Sequence, residues 1–175
     1  MKKIDFFEFI KKTFTSSEVT VYSKKSPEEI FSEMEFIFDR KNVVDYTVNL
    51  TGKIDSNYNF ELTHKFSLEI TRIGGVEGMN AEIKGAILDN VMGSKVNMTI
   101  IPNSLYRWLF IGGLLSIVII LLLTIFGMRA HDTIAVISFA LFGICPYSVI
   151  RSYFAKQSLL KKVMVTFDLK ELPEN

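Results

Sequence analysis

One cysteine in 175 residues excludes a disulfide framework and any zinc site built from cysteine. Two histidines leave little material for metal ligation or acid–base chemistry. Neither sign of charge is in excess. Lysine and arginine total 20 against 19 aspartate and glutamate, which excludes recognition of a polyanion by bulk charge, so nucleic acid is not an expected partner. The low apolar content that marks disorder is also missing, since 49% of residues are apolar and 15 are Phe. The length suits one ordinary domain with little left over.

Two long stretches free of ionised side chains are present instead. Trp108 to Met128 is WLFIGGLLSIVIILLLTIFGM, and Thr133 to Ile150 is TIAVISFALFGICPYSVI. At about 1.5 Å per residue they reach roughly 31 and 27 Å, against a hydrocarbon core of about 30 Å. Neither has the polar stripe of a surface helix. A chain this small could not bury both, so they predict a transmembrane hairpin over 107–150. Seven lysines and arginines flank its outer ends (Lys95, Arg107, Arg151, Lys156, Lys161, Lys162, Lys170), while the short loop holds Arg129 alone. That asymmetry predicts two spans in a cell inner membrane with both termini cytoplasmic. Gly112, Gly113 and Ser116 on the first span, with Ala140 and Gly143 on the second, are small residues at near-helical spacing. They suit close helix packing within one hairpin or between subunits of a homo-oligomer. No Asp, Glu, Lys, Arg or His interrupts either span, so an ion path through a single chain is not expected. An oligomeric pore lined by Ser116, Thr124 or Ser138 remains open.

The remaining chain predicts an amphipathic helix over 1–17, an α+β domain over 18–106 and a C-terminal cytoplasmic helix over 151–175 packing on it. In the first of these, Ile4, Phe7, Ile10 and Phe14 share a face against Lys2, Lys3, Lys11 and Lys12. That pattern fits either an in-plane helix at an anionic leaflet or a helix packed on its own domain. Val19 and Val21 mark a strand. Ser26-Pro27-Glu28-Glu29 then opens a helix, with Ser26 as N-cap and Pro27 at its first position. Alternation follows through Val44, Tyr46, Val48 and Leu50, then Tyr58, Phe60 and Leu62, then Phe66, Leu68 and Ile70. It resumes through Ala81, Ile83, Gly85 and Ile87, and through Val96, Met98 and Ile100, with Asp55-Ser56-Asn57 as a turn. The sum is α+β, an antiparallel meander with a helix on one face, interrupted by the hairpin. Residues 161–170 fit a helix continuing from the second span, and KVMVTFDL also alternates as a strand.

Val19-Thr20-Val21-Tyr22 followed by Ser26-Pro27-Glu28-Glu29-Ile30-Phe31 resembles the opening of helix-grip proteins, the Bet v 1/START-like group. The resemblance implies a meander closed over a hydrophobic cavity by a long C-terminal helix. In layout the chain also resembles small bacterial membrane proteins with a strand-rich cytoplasmic front, a two-helix hairpin and a basic C-terminal helix. That likeness rests partly on Lys84-Gly85-Ala86-Ile87, and it implies location and architecture without an activity.

For function, the candidate nucleophile Cys145 falls inside a span, and His131 falls on the opposite side of the membrane from His64. They cannot meet, and no phosphate loop, metal-binding helix motif or nucleophile elbow is present, so neither catalysis nor a cofactor is expected. Tyr46, Phe60, His64, Phe66 and Met98 are the candidate lining of an apolar pocket. The expected function is a membrane-tethered, non-catalytic module that binds a hydrophobic ligand or a protein partner. The alternatives are an oligomeric membrane-perturbing effector or pore and, less favoured, an enzyme.

Overall fold

The computed structural model describes residues 5–39, 50–64, 81–91, 93–125 and 132–171, with the backbone alone over 123–124 and 132–142. The chain divides into two compact units. One comprises Met1–Phe14 and Asn103–Phe154, the other Thr15–Pro102 and Ala155–Asn175.

The second unit is α+β. Its strands β1 (Ser17–Ser23), β2 (Leu50–Ile54), β3 (Asn59–His64), β4 (Glu82–Asn90) and β5 (Gly93–Ile101) form one antiparallel sheet in the order β1-β5-β4-β3-β2. Helix α2 (Pro27–Asp39) begins with a reciprocal capping box, a feature beyond the expected Ser26 cap. The Glu29 N–H donates to Ser26 Oγ at 3.2 Å, and the Ser26 N–H donates to Glu29 Oε2 at 2.8 Å.

Side chains alternate along each strand, so register decides the core. Val19, Met98, Gly85, Phe60 and Ile54 form one cross-strand row, and Ile100, Ile83, Leu62 and Gly52 form the next. Phe60, Leu62, Ile83, Met98 and Ile100 are buried together with Ile30 and Met34 of α2. Leu159, Val163 and Phe167 from the C-terminal end of the chain complete the same cluster. Each such side chain contributes roughly 1.5–3 kcal/mol over its exposed state. Gly85 is required here because Phe60 leans across it. A Cβ at Gly85 would lie 2.5 Å from Phe60 Cζ and 2.6 Å from the Asn97 carbonyl oxygen.

The opposite sheet face is polar. Glu61 pairs with Lys84 at 2.7 Å and Lys53 at 3.0 Å, and Thr20 Oγ1 donates to Asn97 Oδ1 at 3.0 Å. At the free side of β1, Tyr22 and Lys170 exchange backbone hydrogen bonds of 2.9 Å.

Tyr58, read from alternation as a strand residue, instead ends the turn before β3 with φ 60. Asp55 takes over the local backbone there, its Oδ1 accepting from the Asn57 and Asn59 N–H groups at 2.9 Å each. Of the strand expected from Val44 to Leu50, only Leu50 is among the described residues, at the start of β2. Phe66, Leu68 and Ile70 lie outside them.

The first unit contains α1 (Phe6–Phe14), α3 (Ser104–Ile125) and the opening of α4 (Asp132–Thr166). Among the described residues one helical stretch, Ser104–Leu122, has the length and apolar character to cross a membrane, and only 11% of it is buried. Residues of the second expected span form the opening of α4, which carries Pro146 within it. The 161–170 ambiguity resolves as helix up to Thr166. Asp168 then turns left-handed at φ 49, and the Leu169 N–H bonds back to the Met164 carbonyl at 2.8 Å.

Candidate functional site

Phe60, His64 and Met98 all lie on the core-facing side of the sheet: Phe60 and His64 four residues apart on β3, Met98 two strands away on β5. Phe60 and Met98 are buried and belong to the continuous core cluster. His64 ends β3 opposite Leu50 and is half-buried, with an interaction partner of its own. Tyr46 and Phe66, the other expected lining residues, lie outside the described residues.

A different concavity is present in the same unit. An open groove of about 500 Å³ runs along the last turns of α4 and the segment after it. Leu160, Met164 and Leu169 supply apolar surface, and Lys161, Asp168 and Glu171 supply charge. Its size falls within the range of roughly 300–1,000 Å³ usual for small-molecule sites. Sequence reasoning missed it because Leu160 and Met164 are an ordinary i, i+4 pair of a core-facing helix. The left-handed turn at Asp168, which brings Leu169 back beside them, has no glycine to announce it.

Above the groove on α4, Lys156 is buried. Its Nζ donates to the Thr15 carbonyl at 2.9 Å and to Ser17 Oγ at 2.7 Å, tying the start of β1 to this helix. Burial pushes its ammonium below the ordinary lysine value. Three carboxylates of α2 have structural duties. Glu29 closes the cap, Glu33 accepts from Lys25 Nζ at 2.7 Å, and Glu28 accepts from the Tyr58 hydroxyl at 3.3 Å. Among the described residues no group of three or more His, Cys, Asp or Glu side chains gathers in a way that could hold a metal ion.

In the helical unit, Cys145 is buried with its Sγ 3.7 Å from the Phe110 carbonyl oxygen. Ser116 donates to the Gly112 carbonyl and Ser148 to the Cys145 carbonyl, each at 2.8 Å, so both hydroxyls are satisfied within their own helices. Gly113 is buried. Among the described residues, a Cβ placed at Gly112 or Gly143 would meet nothing within 4 Å. The side chains of Ala140, Thr124 and Ser138 lie outside the described residues. No protein-family model, curated protein or solved structure matches the chain.

Proposed function

We infer that the chain is an integral membrane protein. A two-span helical hairpin tethers a non-catalytic α+β binding or sensing module to the cytoplasmic face of a cell inner membrane. The observation that carries this reading is the bareness of α3. Leu114, Leu115, Val118, Ile119, Leu121, Leu122 and Ile125 are all exposed, together covering an arc of about 160° on one side of the helix. In water that surface would be strongly unfavourable, whereas acyl chains cover it without penalty. Hydroxyls bonded within their own helices suit the same surroundings. The second span rests on residues 133–150 and on the length of α4, whose 35 residues reach about 52 Å, more than a core of about 30 Å needs. Cytoplasmic termini rest on the seven flanking cations against Arg129.

For the module, β1, a capped helix, a strand meander and a helix over the core face follow the order of helix-grip proteins. The ligand we assign to it is hydrophobic with a polar end, because the groove sets Leu160, Met164 and Leu169 beside Lys161 and Asp168. Sedimentation of a detergent-free lysate tests the anchor: the protein stays in the pellet after alkaline carbonate, and recovery in the supernatant refutes the span. Reporter fusions at both ends should be active only in the cytoplasm. Native mass spectrometry of the purified chain tests the module. A co-purifying lipid, lost on Met164→Arg, supports it, and an empty protein with no crosslinked partner refutes it.

A second reading has one specific support. The surfaces at Gly112 and Gly143, open among the described residues, can receive a neighbouring subunit, as an oligomeric membrane effector would require. Depolarisation on overexpression, abolished by Gly112→Leu, would favour it, and an unchanged membrane potential would remove it.

A further inference from the structure

Helix α1 carries an apolar arc that the protein covers only in part. On a 3.6-residue period Phe9, Thr13, Phe6, Ile10, Phe14 and Phe7 fall within about 160° of one another, with Lys11, Glu8 and Lys12 on the remainder. The C-terminal half of that arc is held by the helical unit. Phe14 stacks at 5.2 Å on Phe110, Phe9 at 5.5 Å on Tyr153, and the Thr13 carbonyl accepts from Ser152 Oγ at 3.1 Å. Among the described residues the N-terminal half has no such cover. Phe6 and Phe7, in edge-to-face contact with each other, are 68% and 77% exposed. The parts of α3 and α4 beside α1 expose further large residues, Trp108, Tyr147, Ile150 and Phe154. Amphipathic aromatics grouped at one end of an apolar helix pair are the pattern of a membrane–water boundary.

We propose that α1 lies in the plane of the same bilayer, with Phe6 and Phe7 sunk into its headgroup–acyl boundary and Lys11 and Lys12 facing anionic phospholipid. This rests on the reading of α3 as a membrane span. Two observations choose lipid as the occupant. The bare phenylalanines continue the exposed aromatic surface of α3 and α4, and the polar side of α1 is cationic: Lys11 and Lys12 outnumber Glu8. Phosphate headgroups complement those lysines, and the shallow boundary accommodates a phenylalanine pair. The helix thereby makes attachment sensitive to lipid charge, which two neutral spans alone would not.

The test uses the full chain in vesicles of phosphatidylcholine with or without about a quarter phosphatidylglycerol, brominated near the top of the acyl chains. Phe7→Trp in a Trp108→Phe background leaves one tryptophan on α1, and the unaltered chain reports from Trp108. The expected result is blue-shifted emission from position 7, with bromine quenching about two-fold stronger when phosphatidylglycerol is present. Adding Lys11→Gln and Lys12→Gln should remove that two-fold difference. Phe6→Trp in the same background repeats the measurement should the first variant fold poorly. Water-like, unquenched emission at position 7 overturns the proposal, as does blue-shifted but unquenched emission, which would mean that a second copy or another protein covers the pair. If Trp108 is quenched in either case, the span stands and only the placement of α1 falls. If Trp108 is also unquenched and carbonate extracts the chain, the span reading itself has failed.

Discussion

Gly85 is the residue where the sheet leaves least freedom, because the missing side chain is the space that the Phe60 ring occupies. Gly85→Ala would set a methyl 2.5 Å from Phe60 Cζ and 2.6 Å from the Asn97 carbonyl. The ring could swing away; the backbone oxygen belongs to the β4–β5 ladder and cannot. A loss of about 1–3 kcal/mol is expected, measured as a lowered denaturation midpoint for the detergent-solubilised chain. Asp55 is the clearest titrating residue. Its carboxylate lies below the ordinary value of 3.8, first because of the Asn59 N–H and then the Asn59 side chain. Glu61 lies below its ordinary 4.5 through Lys84 and then Lys53. Both folded values are depressed, so the unfolded chain binds more protons in acid. The stabilisation is complete above those ordinary values and is lost as pH falls through them toward the folded values. Asp55→Asn keeps an acceptor for the turn and removes the titration. Its melting temperature should therefore fall less steeply than that of the parent as pH drops below about 3.8, the ordinary value from which Asp55 is depressed. An unchanged slope would contradict this assignment.

Among the elements, α2 depends most on a local device. The Ser26–Glu29 box satisfies two donors that would otherwise face water at the helix start. Ser26→Ala should cost about 1 kcal/mol, visible by circular dichroism in a thermal melt, and Ser26→Asp should largely restore the midpoint. The cap was legible from Ser26-Pro27-Glu28-Glu29 because it involves neighbours in sequence and a fixed spacing. The meander was legible from period-two alternation, as Ile83, Gly85 and Ile87 illustrate. Tyr58 was not. Its aromatic ring keeps the apolar phase of Phe60 and Leu62, yet Asp55 holds the backbone there in a left-handed turn. A hydrophobicity pattern reports where a side chain ends up and is blind to φ.

For the whole molecule, the α+β unit is not contiguous in sequence. Thr15–Pro102 depends on Ala155–Asn175, since Leu159, Val163 and Phe167 fill the same core as Phe60 and Met98. A chain ending at Phe154 should leave that face of the sheet covered by α2 alone and lose protease protection across β1 to β5. Leu159→Ala in the full chain should cost about 2–5 kcal/mol while remaining in the membrane fraction. Retained protection in the truncated form would show that the sheet folds without α4.

From residue order alone came the α+β class, the Ser26 cap, the alternating core positions and the apolar run from Trp108, because each is a property of neighbours within a few turns or a few strand residues. The candidate site followed only in part: Phe60 and Met98 were identified as inward-facing, but whether inward-facing residues enclose space or fill it depends on which helices cover them. Tertiary structure decided that Leu159, Val163 and Phe167 pack over this face, and that the groove forms instead where Leu169 turns back beside Leu160 and Met164. It also decided that Phe9 and Phe14 are covered while Phe6 and Phe7 are bare. Burial of one side chain is set by others distant in sequence, and periodicity carries no record of which of them arrive.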